Sequence, residues 1–285
     1  VNFADRLLKL VATKKTPLCV GLDPHEELIP DEFFRNQTKT EGIRSFLFQV
    51  ITAITPFAVA VKPNAAFFEY YGAEGWKIFE EVSEEAQKNG LIVIADAKRN
   101  DIGSTAVKYA EAFLGTEKPY DALTITPYLG QDGILPFVDT ATKNGKGVFT
   151  LVKTSNTSAG EFQDLPVGDA LLHEEVARTV ARIGTRCTGE SEFSSLGAVV
   201  GATHPDDIRI LRSEMPAQIF LIPGYGFQGG TADDLTDAFY QNGTGAIVNS
   251  SRGILFPKGK KTTLEDISAA AEKAQEELFR ISFRK

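Results

Sequence analysis

Eight short apolar or β-branched runs punctuate the chain at 18–22 (LCVGL), 58–62 (AVAVK), 91–96 (LIVIAD), 121–126 (DALTIT), 147–152 (GVFTLV), 196–201 (LGAVVG), 218–223 (QIFLIP) and 245–250 (GAIVNS). Most lack polar alternation, the pattern of parallel strands buried on both faces. Amphipathic stretches with helical spacing lie between them, at 42–55, 75–89, 169–184 and 231–243, and a last helix is predicted over 262–282. Thr262 with Glu265 reads as a capping box opening that helix. Eight strand–helix units in 285 residues predict an α/β fold of the (β/α)8 TIM-barrel type, whose usual size is about 250 residues. A doubly wound sheet is the alternative arrangement of the same elements. No linker or low-complexity segment divides the chain, so a single domain over 1–285 is expected.

A formal net charge of -8 argues against a dedicated nucleic-acid surface, while leaving room for a local cationic pocket. Cys19 and Cys187 stand far apart in no metal or redox spacing, which fits a reducing compartment and no disulfide scaffold. His25, His173 and His204 are scattered as well, so no metal site is expected and each histidine reads as a surface or loop residue. Residues 1–15 lack the apolar core of a signal peptide, and no run approaches the roughly 20 apolar residues of a membrane span, so a cytoplasmic location is expected.

The barrel reading carries a functional consequence, because residues that end each strand and open the following loop face the active site. Those ends are Asp23, Lys62 and Asn64, Asp96 and Lys98, Thr126, the stretch 153–156, the glycine-rich 223–230 (PGYGFQGG) and 249–253 (NSSRG). Asp96 and Lys98 are two residues apart, which on an extended strand end places them on one face, and Lys62 arrives from the neighbouring strand. Opposite charges that close hold each other ionised, so Lys98 suits proton donation better than Schiff-base chemistry. A solvated charge run is the competing reading of this stretch.

Residues 223–230 and 249–253 fall in the two loops where such barrels frequently bind phosphate. Gly224, Gly226, Gly229 and Gly230 allow close backbone approach, and Arg252 offers a fork for phosphate oxygens. A tight turn with an exposed arginine would look the same. Hydroxyls and an amide at 151–160 (LVKTSNTSAG) suit the edge of a planar heterocycle, or simply a polar loop. These residues imply a phosphorylated small ligand held against a Lys-Asp-Lys array, and leave lyase, isomerase and aldolase chemistry open.

The stretch DAKRNDIGST (96–105) resembles the Asp-x-Lys-x-x-Asp-Ile-Gly motif of the orotidine 5′-monophosphate decarboxylases. The resemblance runs in order through CVGLDP, VKPNAAFFE, TPYLG, KTSN, PGYGFQGG and SSRGI, nearly the whole chain, and is nearest the longer variety with Lys-Pro-Asn-x-Ala-Phe-Phe after the second strand. It implies decarboxylation of orotidine 5′-monophosphate to UMP and carbon dioxide in pyrimidine biosynthesis, with neither metal nor organic cofactor. By the resemblance, Lys98 is the proton donor to C6, Asp96 sits against the substrate carboxylate, and Lys62 bridges the array to the ribose. Asp101 reaches the neighbouring subunit's site, which implies a homodimer with shared active sites, and Ile102 and Thr105 line that partner site. Asp23 and Asn64 match ribose contacts, Thr154 and Ser155 the pyrimidine-reading position, and Pro223, Gln228, Ser251 and Arg252 the phosphate grip. Two positions depart from the pattern: Thr126 stands where Asn is usual before Pro-Tyr, and Ser251 where Gly is frequent. A Mg-dependent sugar-phosphate decarboxylase or aldolase-like synthase with the same Asp-x-Lys-x-x-Asp motif is the enzymatic alternative, and a catalytically silent nucleotide-binding barrel the other.

Overall fold

The computed structural model describes residues 1–202, 205–226 and 230–283. Its strands are β1 (Leu18–Leu22), β2 (Ala60–Pro63), β3 (Ile92–Arg99), β4 (Ala122–Ile125), β5 (Gly147–Lys153), β6 (Ser194–Val200), β7 (Gln218–Ile222) and β8 (Ala246–Ser250). Each pairs in parallel with the next, and β8 returns to β1, so the sheet closes on itself and the doubly wound alternative is excluded. Six of these strands are buried along their whole length, β5 is buried except at Leu151, and β3 is buried until its last residues, which is why the runs read as uninterrupted apolar segments. Each apolar side chain has a helix on one side or the barrel interior on the other.

Helices Lys39–Ile54, Gly72–Lys88, Gly103–Leu114, Gln131–Lys143, Leu172–Gly184, Pro205–Glu214 and Leu264–Ser282 make the outer layer. Three expectations need correction. The stretch 231–243 forms only a 3-10 turn, Asp233–Ala238, between β7 and β8. Its Asp and Thr side chains compete for the backbone, as when Thr231 donates through both N–H and Oγ1 to Asp234 Oδ2 at 3.0 and 2.6 Å. In the stretch 169–184, the helix begins at Leu172, because Ala170–Leu171 first pairs with Pro166–Val167 in a small antiparallel hairpin. The capping box of the last helix is Thr263 with Asp266, one residue later than the Thr262–Glu265 reading. Thr262 is buried, and its hydroxyl instead donates to Gly259 O at 2.7 Å.

The interior is closed at the N-terminal end of the strands by a helix that the run pattern did not reveal, Phe3–Lys14, capped by Asn2 Oδ1 accepting from Ala4 N at 2.8 Å. Phe3, Leu7, Leu8 and Val11 of this helix pack with Cys19, Ile92, Phe149, Ile219 and Ile247 in one buried cluster. Gly147 opens β5 where a Cβ would stand 2.3 Å from the Phe3 ring, so only glycine admits the plug. With that end sealed, the functional surface is confined to the carboxyl ends of the strands, as expected for the fold.

Arg212 ties the outer layer to the barrel where the helix between β7 and β8 is missing. Its guanidinium lies 3.7 Å from the Phe220 ring centroid and donates to Met215 O, Gln218 O, Ala238 O and Gly245 O at 2.7 to 2.9 Å. Burial pushes it down to about 10, which still leaves it charged at neutral pH. Replacing Arg212 by Leu strands these buried carbonyls, so urea unfolding of R212L is expected to show a loss of about 3 kcal/mol or more; a loss under about 1 kcal/mol would mean that water replaces the guanidinium there.

Candidate active site

The site is built around one carboxylate. Asp96, near the end of β3, accepts from Lys62 Nζ through Oδ2 at 2.6 Å and from Lys98 Nζ through Oδ1 at 2.6 Å, and the Thr124 hydroxyl adds a donation to Oδ1 at 3.0 Å. Lys62 comes from β2 and is almost wholly buried with Asp96, whereas the Lys98 side chain is 47% exposed at the mouth of the barrel. Burial by itself would lower the Lys62 ammonium and raise the Asp96 carboxyl. Asp96 and Asp23 outweigh it for Lys62, which is held well above the ordinary lysine range. Lys62 and Lys98 outweigh it for Asp96, which is held far below the ordinary carboxylate range.

The predicted convergence of Asp96 and Lys98 is present, but its geometry is not that of an extended strand end. The pairing of β3 with β4 slips between Ala95 and Arg99, and Lys98 takes a left-handed backbone with φ of 46°. A non-glycine residue there is strained and needs surrounding contacts to persist. The Lys98 N–H donates to Thr124 Oγ1 at 3.0 Å, so one hydroxyl secures both the bulged backbone and the carboxylate. Thr124 was not singled out in the sequence; Thr126, which was, follows the strand and gives its N–H to Arg99 O at 3.2 Å. The signal for Thr124 was its place two residues before Thr126, on the same face of the run.

Two adjoining cavities share Lys62 and Pro223. The larger, about 460 Å³, is lined by Asp96, Lys98, Thr124, Thr154, Ser155, Asn156 and Gln163 together with apolar Leu151, Val199 and Leu221. The smaller, about 190 Å³, is lined by Asp23, His25, Gly224, Tyr225, Asn249, Ser251 and Arg252. Arg252 lies at the start of a short helix and its Nη2 is 3.3 Å from His25 Nε2. A guanidinium only donates, so His25 Nε2 accepts and the ring proton sits on Nδ1, 3.4 Å from Glu27 Oε1. His25 therefore belongs to the site, beyond its reading as a surface or loop residue. Asp23 Oδ1 and Ser251 Oγ are buried with no hydrogen-bond partner among the described residues, so each keeps capacity for a polar ligand group. Gly21 gives Ser251 its room: a Cβ there would stand 2.7 Å from the Ser251 Cβ, so the serine that departs from the family pattern is accommodated by a glycine on β1.

Several expected residues are elsewhere. Lys153 was counted with the strand-end ring, but its ammonium turns away to pair with Asp164 and, at 3.4 Å, with Asp207. The β5–β6 register slips between Leu151 and Lys153, which permits that turn. His173, read as a surface or loop residue, is 1% exposed on the helix after the hairpin. Asn64 stays beside the site, bridged to Asp96 through the backbone, with its Oδ1 capping the helix Ala65–Glu69. Asp101, Ile102 and Thr105 line neither cavity: Asp101 accepts from the Ile102 N–H at 2.8 Å, and Ile102 and Thr105 are exposed. Gln228, Gly229 and His204 lie outside the described residues. Among the described residues no three His, Cys, Asp or Glu side chains are grouped so as to hold a metal ion, and no helix is long and apolar enough to cross a membrane.

Fold and site together define a (β/α)8-barrel enzyme with an ion-paired Lys-Asp-Lys array beside an arginine-bearing pocket. Residues 16–267 match the family model described as the orotidine 5′-phosphate decarboxylase / HUMPS family. The chain is 41% identical to the orotidine 5′-phosphate decarboxylase of Rhodopirellula baltica, over 96% of this chain and 93% of that protein. It is 42% identical to the enzyme of the same name from Caldicellulosiruptor bescii, over 90% of each. The solved structure of Leishmania donovani OMP decarboxylase superposes with a TM-score of 0.80 at 34% identity and covers 100% of both chains. This chain belongs to the orotidine 5′-phosphate decarboxylase / HUMPS family.

The pairing at Asp96 has a definite pH signature. The folded-state carboxyl is held below its unfolded value of about 3.9, so its stabilisation is complete above that value and is lost as pH falls through the folded one. Asp96→Asn leaves Lys62 buried without its carboxylate, at an expected cost of about 3–5 kcal/mol near pH 7. Urea unfolding from pH 7 down to pH 2 should show the gap between wild type and D96N constant above about pH 5 and narrowing below about pH 4. A gap independent of pH would mean that the pair does not carry the cost.

Proposed function

We propose that this protein decarboxylates orotidine 5′-monophosphate to UMP and carbon dioxide, as a cytoplasmic enzyme of pyrimidine biosynthesis. The observation that carries the reading is the Lys62–Asp96–Lys98 array, with its 2.6 Å contacts, placed between a heterocycle-sized cavity and an arginine-bearing one. In this reading the pyrimidine lies in the larger cavity beside Thr154 and Ser155, Asp23 and Asn64 serve the ribose, and the phosphate lies by Pro223, Ser251 and Arg252, with Gln228 completing the grip. The C6–carboxylate bond breaks, its electron pair remains on C6, and the Lys98 ammonium delivers a proton there. Water then restores the lysine proton.

A carbanion at C6 is poorly stabilised by the ring, and decarboxylases commonly recruit a cofactor as electron sink. Here an ammonium held in place beforehand meets the charge as it develops, so it stabilises the transition state more than the substrate. Asp96 beside the substrate carboxylate adds a repulsion that vanishes as carbon dioxide departs. Enzymes lower barriers by about 8–23 kcal/mol, while one well-placed donor accounts for about 3–4 kcal/mol, so Lys98 cannot act alone. Binding energy from the distant phosphate supplies a further part when it is used to assemble the site.

The shared-site dimer is also part of the proposal. Ile102, Val107, Tyr109, Tyr128 and Leu129 are exposed apolar side chains, with Tyr128 87% exposed. Leu129 and the Asp101 carbonyl meet at Gly133, so this apolar surface adjoins Asp101 itself. A second copy seated there would cover the patch and receive Asp101, Ile102 and Thr105 at its own site.

Loss of orotidylate absorbance in chelated, metal-free buffer tests the activity, and wild type is expected to turn over there while Lys98→Ala loses at least a thousandfold in kcat yet keeps affinity for UMP. Near-normal turnover of K98A would remove Lys98 from the proton-donor role, and activity that requires Mg²⁺ would favour the sugar-phosphate alternatives. Mixing inactive Lys98→Ala and Asp101→Ala chains should restore activity in hybrid dimers, because one of the two sites then has both residues intact. Verified hybrids without activity would refute the shared site.

A further inference from the structure

The segment after β5 holds a hydrogen-bond chain whose polarity is forced from one end. Gln163 lines the cavity that contains Lys98. Both ends of its amide are spent on one residue: the Thr154 N–H donates to Gln163 Oε1 at 2.9 Å, and Gln163 Nε2 donates to Thr154 Oγ1 at 2.7 Å. A backbone N–H can only donate, so the oxygen of Gln163 must face it and the nitrogen must face the hydroxyl. That hydroxyl passes its own proton on to Asn156 Oδ1 at 2.6 Å. Asn156 is thereby held with its oxygen toward Thr154, and its NH2 group is the end left to meet a ligand.

The carrier of Gln163 is itself anchored. Gln163 O lies 2.8 Å from Nδ1 of the buried His173, and a carbonyl only accepts, so the imidazole proton is on that nitrogen. The next residue, Asp164, pairs with Lys153 at the end of β5 and lies 3.2 Å from the same His173 nitrogen. Lys153 in turn reaches Asp207 on the helix Pro205–Glu214 at 3.4 Å. Groups on the barrel and on two helices therefore fix the backbone that presents the Gln163 amide.

We propose that Gln163 is a positioning residue that turns the NH2 face of Asn156 toward the base, so that the pocket accepts a pyrimidine edge bearing carbonyl oxygens and rejects one bearing an amino group. The proposal rests on the nucleotide reading above. A dione edge offers acceptors to that NH2 group, whereas a 4-amino edge sets donor against donor, and mismatches of this kind are rejected strongly because buried groups are left unpaired.

Gln163→Glu keeps the size of the side chain and removes the donor. Its carboxylate accepts the Thr154 hydroxyl proton, Asn156 loses its fixed partner, and its amide is free to turn. Titrating UMP, CMP and ribose 5-phosphate against wild type, Q163E and Q163A separates the possibilities. Wild type is expected to bind UMP more tightly than CMP, and both variants to lose about tenfold of that preference, the worth of one hydrogen bond, with ribose 5-phosphate affinity unchanged. An unchanged UMP-to-CMP ratio in both variants would overturn the proposal, even if both affinities fall together. A parallel loss of ribose 5-phosphate binding would also overturn it, since it signals a collapsed loop. Wild type that binds ribose 5-phosphate but neither nucleotide would instead refute the nucleotide reading itself.

Discussion

The carboxylate of Asp96 is the group on which the rest of the site depends. It is buried at the rim of the barrel, where an isolated charge would be prohibitive, and it is tolerated because two ammonium groups and a hydroxyl surround it. Each partner is brought by a different mechanism. Lys62 arrives through the parallel register of β2 beside β3, Lys98 through a bulge and a left-handed backbone, and Thr124 through the inward face of β4. The array therefore reports on the closure of three adjacent strands, and a change in any one of them would leave charge uncompensated.

This dependence shapes the chemistry as well as the stability. Lys62 and Asp96 face the interior and compensate each other, so they are largely spent as structure. Lys98 shares the same carboxylate but keeps half its side chain open to the cavity, which makes it the member positioned to act on a ligand. The neighbouring pocket obeys a different rule: Arg252 is held against the His25 ring, and the close approach of β1 and β8 at Gly21 admits the Ser251 side chain. Lys62 and Pro223 line both cavities, so a ligand long enough to span them would couple recognition at Arg252 to the reacting end.

Much of this was legible in the chain. The eight apolar runs mark the eight strands to within a few residues, since burial on both faces removes polar residues from every strand alike. Lys62, Asp96 and Lys98 were legible because charges at the ends of apolar runs stand out. Lys153 stood out in the same way and proved to be an anchor for the loop after β5, since a strand-end lysine can turn outward to carboxylates that only folding brings near. His173 and Gln163 were invisible for the converse reason: nothing in their neighbours tells a buried histidine or a clamped amide from an ordinary loop residue. The weak helix signal at 231–243 failed because local Asp and Thr contacts satisfied the backbone before a helix formed.

By itself the sequence determined the architecture and the chemical types available at the strand ends, because hydrophobic periodicity and strand count are properties of the chain alone. Tertiary structure decided which of those residues share a cavity and in what state of charge. Whether Lys98 meets Asp96 depends on a two-residue slip in pairing with β4, and the polarity of Asn156 depends on a glutamine seven residues further along that folds back onto Thr154. Such facts rest on through-space distances of a few ångströms between side chains, and no local pattern of residues encodes them.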